Sequence, residues 1–190
     1  MFDIRPATEQ LASLLRGVGD EQLAGPTPCP RYSLGDLVDH VNGLSLAFTW
    51  AATKSFPSGR SQPPSADASR LAPDWRTRIP NQLTRLAEAW RDPAAWEGMT
   101  EAGGVDLSAQ VAAMVALNEV VVHGWDVSRA SGQPYRADPQ VLAICGEFLG
   151  QATERSSDAF GPVVGVPADA PELDRVIGLS GRDPSWTPGP

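Results

Sequence analysis

The sequence is poor in the residue types that announce most functions. It has two cysteines, two histidines and one lysine in 190 residues. Cys29 lies in a proline-rich turn and Cys145 in an apolar helical pattern, far apart and without the C-x-x-C spacing of a redox pair or zinc knuckle, so no disulfide is expected. No apolar run approaches the roughly 18 residues that a membrane span needs, and MFDIRPATEQ at the N-terminus has neither a basic nor an apolar signal region. A cytoplasmic protein with no membrane partner is the expectation. The basic residues do not cluster, and a net charge of −8 with a pI near 4.7 repels a phosphate backbone, which argues against nucleic acid. What is present is 42% hydrophobic residues, enough for one domain over residues 1–190 with a sizeable core.

Helical periodicity dominates the chain. Leu11, Leu14 and Leu15 stripe a first helix over 6–16, which Gly17 ends. Ser33, with Asp36 three places on, resembles a capping box and opens a second helix reaching about Lys54, striped by Leu34, Leu37, Val41, Leu44 and Phe48. SFPSGRSQPPSADAS, 55–69, reads as a long polar loop of the kind that serves as a lid or is simply mobile. A third helix spans 74–90, with Pro80 expected to kink it. The segment 91–104 reads as connection. Asp106 is the expected N-cap of a fourth helix that ends at Ser131 before Gly132. Asp138-Pro139 opens a fifth, and a shorter one runs over 171–180 to Gly181, whereas VVGV at 163–166 is too short to found a sheet. Long helices plus a short one, joined by loops, argue for an all-α bundle.

One helix carries a puzzle. NEVVVHGWDV, 118–127, sets Glu119 and His123 four places apart in a run otherwise mostly valine. At about 100° per residue the two lie roughly 40° apart, among Ala112, Val115, Ala116, Asp126 and Ala130, while Met114, Leu117, Val121 and Trp125 occupy the other side. The helix is apolar nearly all round and therefore central. The small residues beside the pair predict a cavity there. The remaining histidine, His40, sits at the edge of the apolar stripe of the second helix. Inward-facing acid and imidazole are costly alone, and a divalent cation would satisfy all three groups at once. Two histidines and a carboxylate leave coordination positions open, as a catalytic metal site does. The competing reading is an ordinary ion pair, Glu119 bonding His123 or an arginine of a neighbouring helix. The pattern is neither the H-E-x-x-H of zinc proteases nor the doubled Glu-x-x-His of di-iron bundles.

Other side chains have plainer roles. Asp36, one turn before His40, is placed to cap its helix rather than to bind metal. Asp126 is placed to orient the free ring nitrogen of His123, or else to pair with Arg129. Cys29 has only Arg31 nearby and reads as a small residue in a tight turn, not a reactive thiol. Trp50 and Trp125 read as core.

TPCPRYSLGDLVDHVNG (27–43), EVVVHGWDVSRASG (119–132) and FGPVVGVPADAPELDRVIGLSGRDPSW (160–186) resemble the N-terminal domain of mycothiol-dependent maleylpyruvate isomerase. More closely they are similar to an actinobacterial branch of uncharacterised metal-binding proteins in the same DinB-like superfamily. The resemblance implies a DinB-like four-helix bundle with an additional short C-terminal helix, and metal ligands at His40, Glu119 and His123. It implies a divalent metal, zinc first with nickel or iron as alternatives, and mycothiol as co-substrate of a thiol-dependent transferase or isomerase acting on an electrophile. That isomerase has a further C-terminal domain that helps form its active site, and this chain ends at Pro190. The reaction class is thus the expectation rather than the isomerisation itself. The electrophile is expected to enter from the bundle mouth, under the 55–69 loop. The same ligand set also serves a metal-dependent hydrolase, a non-catalytic metal-binding or ligand-sensing module, or a non-haem iron oxygenase, the last disfavoured by an all-helical setting. A homodimer is left open.

Overall fold

The computed structural model describes residues 1–57, 59–63, 65–151 and 161–189; Ser58 and Pro64 of the long polar loop, and Phe160 of the tail motif, lie outside them. Helices form where the apolar spacing predicts. Helix α1 is Arg5–Arg16, with Pro6 in its first turn where a missing N–H is harmless. Helix α2 is Leu34–Thr53, and its capping box is complete: Ser33 Oγ accepts from Asp36 N–H at 3.1 Å, and Asp36 Oδ2 accepts from Ser33 N–H at 3.1 Å. Helix α3, Trp75–Ala89, is a single element that runs on through Pro80. Helix α4 is Ala109–Ser131 and ends on Gly132 in the left-handed conformation at φ 71°. Beyond it come α5, Pro139–Gln151, capped by Asp138 Oδ1 accepting from Gln140 N–H at 2.8 Å, and α6, Glu172–Leu179.

The 91–104 connection is more structured than its composition predicts. Met99–Ala102 (β1) and Val105–Ser108 (β2) pair antiparallel, with Ala102 opposite Val105. Gly103 and Gly104 turn between them at φ 58° and 81°, the two positive angles of the hairpin turn whose twist matches its strands. This hairpin displaces the expected cap of α4. Asp106 is a strand residue opposite Glu101, and Ser108 caps instead, its Oγ accepting from Val111 N–H at 3.3 Å.

Helices α1 to α4 form a four-helix bundle in which α1 and α2 each pack against both α3 and α4. The order around the bundle is therefore α1, α3, α2, α4, which makes α2 and α4 neighbours although the polypeptide visits α3 between them. Leu11, Leu15, Leu37, Leu44, Ile79, Leu83, Leu86 and Leu117 meet in the core, none more than 1% exposed. Trp125 joins them in the interior, whereas Trp50, read as core from the sequence, is half-buried. Helix α5 lies against α4 and carries α6 on its other side. No helix among the described residues is long and apolar enough to cross a membrane.

The long polar loop is tied down at both ends. Arg60 Nε donates to Glu101 Oε2 of the hairpin at 2.9 Å, and the N–H groups of Asp67 and Ala68 donate to Asp39 and Asp36 of α2 at 3.1 and 2.9 Å. Asp36 thus caps its own helix and anchors the loop.

Removing the Ser33 hydroxyl leaves the Asp36 N–H without its partner. Ser33→Ala is expected to cost about 1 kcal/mol, read as a lower urea midpoint at unchanged slope.

Candidate metal centre

Helix α2 reaches His40 two turns after its cap, and α4, buried on nearly every face, reaches Glu119 and His123 on one stripe. Because α2 and α4 are neighbours in the bundle, the three side chains meet. One potential ligand atom from each lies within 4.8 Å of the other two. His123 Nε2 stands 3.0 Å and His40 Nε2 3.9 Å from the same oxygen, Glu119 Oε2. The two rings meet edge to face, centroids 4.9 Å apart.

On its other side His123 Nδ1 lies 3.0 Å from Asp126 Oδ2. Of the two roles open to Asp126 in the sequence, the structure shows contact with the imidazole; Arg129 instead donates to the carbonyl oxygen of Trp186. The imidazole is held between two carboxylates. A neutral imidazole has one N–H. If Nδ1–H donates to Asp126, the Nε2 lone pair faces a carboxylate oxygen, an arrangement that needs a positive charge between them. A proton on Nε2 supplies that charge, and His40 Nε2 stands 3.9 Å from the same oxygen. A divalent cation satisfies all three groups, and separations of 3.0 and 3.9 Å straddle the edge, about 3.4 Å, of a tetrahedron with bonds of about 2.1 Å. The donor set fits a metal on this ground.

The electrostatics show the same demand for positive charge beside Glu119, which a proton on His123 meets. Burial opposes charge on both partners, yet hydrogen bonds from His123 and His40 pull the Glu119 carboxyl down to about 2. Burial likewise disfavours the imidazolium, but the contacts with Asp126 and Glu119 outweigh it and push His123 up to about 9. Access is graded across the site: the Glu119 and His40 side chains retain 14% and 12% exposure, while Asp126 has none. The Glu119–His40 side is thus the accessible side of the cluster.

Two neighbours carried no signal in the sequence. The Tyr32 ring lies against His40, centroids 5.2 Å apart, on a turn that the buried Thr27 hydroxyl organises by donating to the carbonyls of Cys29 and Tyr32 at 2.9 Å. Arg182, from the C-terminal segment, pairs with Asp126 at 3.2 Å. Cys29 and Cys145 are free and buried, and burial raises both thiols, the second to about 12, so neither is an activated nucleophile. Of the small residues beside the pair, Ala112 and Ala116 are fully buried in the core. A cleft of about 400 Å³ lies along α2 under the polar loop, lined by residues including Asp39, Asn42, Trp50 and Arg78, and shares no residue with the triad.

Comparison with known proteins places the chain. Residues 4–128 match the mycothiol maleylpyruvate isomerase N-terminal domain. The chain belongs to that family. Two uncharacterized proteins of Mycobacterium tuberculosis, from strains CDC 1551 / Oshkosh and H37Rv, are each 26% identical over 182 residues, 93% of both chains. The crystal structure of the mycothiol-dependent maleylpyruvate isomerase shares the fold, with a TM-score of 0.57 at 22% identity over 78% of this chain and 67% of that one. A mutant form of that isomerase gives 0.59 at 21% identity over the same shares. The all-α, DinB-like bundle that the sequence implied is thus the fold of the family, and the match ends inside α4, just beyond Asp126.

The His123 shift makes stability depend on pH. A folded pKa raised from 6.5 to about 9 contributes stability that is full below about 6.5 and lost as pH rises through about 9. The thermal midpoint of metal-stripped protein should fall across that window, and His123→Gln should make the fall shallower.

Proposed function

We propose that the protein holds a divalent cation, zinc first, on His40, Glu119 and His123, and uses it as a mycothiol-dependent transferase or isomerase acting on a small electrophile. The observation that carries this reading is the convergence of two imidazole nitrogens on one carboxylate oxygen, between α2 and α4 of a chain that belongs to the mycothiol maleylpyruvate isomerase N-terminal domain family. When bound, the cation supplies Lewis acidity that favours thiolate over thiol at neutral pH.

The chain's own residues do the rest. Glu119 brings the negative charge that draws a cation to the two imidazoles, and the cation displaces the proton from His123. Asp126 accepts from Nδ1–H of His123, which fixes the tautomer and aims Nε2 at Glu119. The partly exposed edge at Glu119 and His40 admits the thiol, and the raised thiols of Cys29 and Cys145 leave nucleophilic work to that external sulfur. Three protein ligands leave room for a substrate atom, as open catalytic sites do. The whole chain, residues 1–190, acts as one metal-binding domain in this reading.

Elemental analysis of wild type beside His123→Ala is the first test: about one equivalent of metal in the first and a loss of at least tenfold in affinity in the second. Equal content would remove the coordination argument. In the second test the metal-loaded protein should consume mycothiol with chlorodinitrobenzene, and stripping should abolish the reaction. Metal without turnover would mark a sensing module, and hydrolysis without any thiol a hydrolase.

A further inference from the structure

The C-terminal segment 161–189 is folded onto α4 at two points one turn apart. Arg182 reaches Asp126, and the carbonyl of Trp186 accepts from Arg129 Nε at 3.0 Å. The segment has its own order. Val164 N–H donates to Gly178 O at 3.0 Å, and Arg182 N–H donates to Ile177 O at 3.1 Å, past the end of α6. Gly181 at φ 83° packs so closely on Gly161 that a Cβ there would lie 2.6 Å from its backbone. The Arg182 side chain is 9% exposed and faces a carboxylate with no exposure at all.

From this geometry we infer that Arg182 is a positioning residue for the metal centre, so that metal occupancy and docking of the C-terminal segment reinforce each other. The inference rests on the metal reading above. Its core is one shared atom: Asp126 Oδ2 lies 3.0 Å from His123 Nδ1 and 3.2 Å from Arg182 Nη2. Arg182 Nε adds contacts to Oδ1 and Oδ2 at 3.3 and 3.4 Å, so both carboxylate oxygens are held and the group cannot turn away from the imidazole. Partners that orient a ligating histidine set metal affinity by tenfold or more in other sites. Here the chain of contacts runs from a segment beyond the family match, through Asp126, to His123. Because coupling between two sites is reciprocal, a metal that needs His123 held also favours the docked segment by the same factor.

Charge alone acts the other way. A guanidinium beside the site repels a cation, so its removal should strengthen metal binding if electrostatics governed, and weaken it if positioning does.

Two measurements decide. Zinc affinity, by competition with a chromophoric chelator, should fall about tenfold in Arg182→Met, with partial recovery in Arg182→Lys, whose point charge reaches one oxygen rather than two. Hydrogen exchange of peptides within 161–189 in wild type should slow about tenfold on adding zinc, a readout that a merely structural Arg182 would not move and that needs no variant to fold. Equal or tighter zinc binding by folded Arg182→Met, or exchange indifferent to zinc, overturns the inference while leaving the metal site standing. Wild type that binds no zinc overturns both.

Discussion

An imidazole held between two carboxylates governs this structure. His123 has Asp126 on one ring nitrogen and Glu119 on the other, each at 3.0 Å, in a helix otherwise given over to burial. Neither acid is cheap to keep there, and a neutral ring satisfies only one of them. The site therefore demands positive charge on the Glu119 side. A proton on His123 meets that demand, and so would a cation held by His40, Glu119 and His123.

The fold supplies the geometry by keeping α2 and α4 adjacent. His40 and Glu119 are far apart along the chain, and only the bundle order α1, α3, α2, α4 sets them side by side. The cap at Ser33 fixes where α2 begins, and so the turn on which His40 stands. The Thr27-organised turn lays Tyr32 against the His40 ring, and the C-terminal segment closes the far side of Asp126. One edge of the triad stays accessible while the other is sealed, the asymmetry expected where an external ligand enters from one side.

The family match covers the bundle and ends at residue 128, while the mycobacterial relatives align over 93% of the chain. Helix α5, helix α6 and the segment ending near Trp186 lie beyond the match, and they bring a buried guanidinium to the carboxylate behind His123. In this chain a short tail completes the surroundings of the centre.

By itself the sequence determined what depends on residues a few places apart. The 3.6-residue period placed the helices, serine and aspartate three apart marked the start of α2, Gly132 marked the end of α4, and the Glu119–His123 spacing put acid and imidazole on one stripe. Gly103-Gly104 between two short runs is a hairpin signal, but the strands are too brief for alternation to register, and the α4 cap was therefore expected at Asp106 rather than Ser108. Tertiary structure alone decided the rest: that His40 meets the α4 pair, that Arg182 rather than Arg129 answers Asp126, and that a cleft lies along α2 under the polar loop. Local spacing fixes which way a side chain leaves its own helix. Which helix it meets depends on how the chain crosses the bundle, and no periodicity along the sequence encodes a contact between residues 56 positions apart such as Arg182 and Asp126.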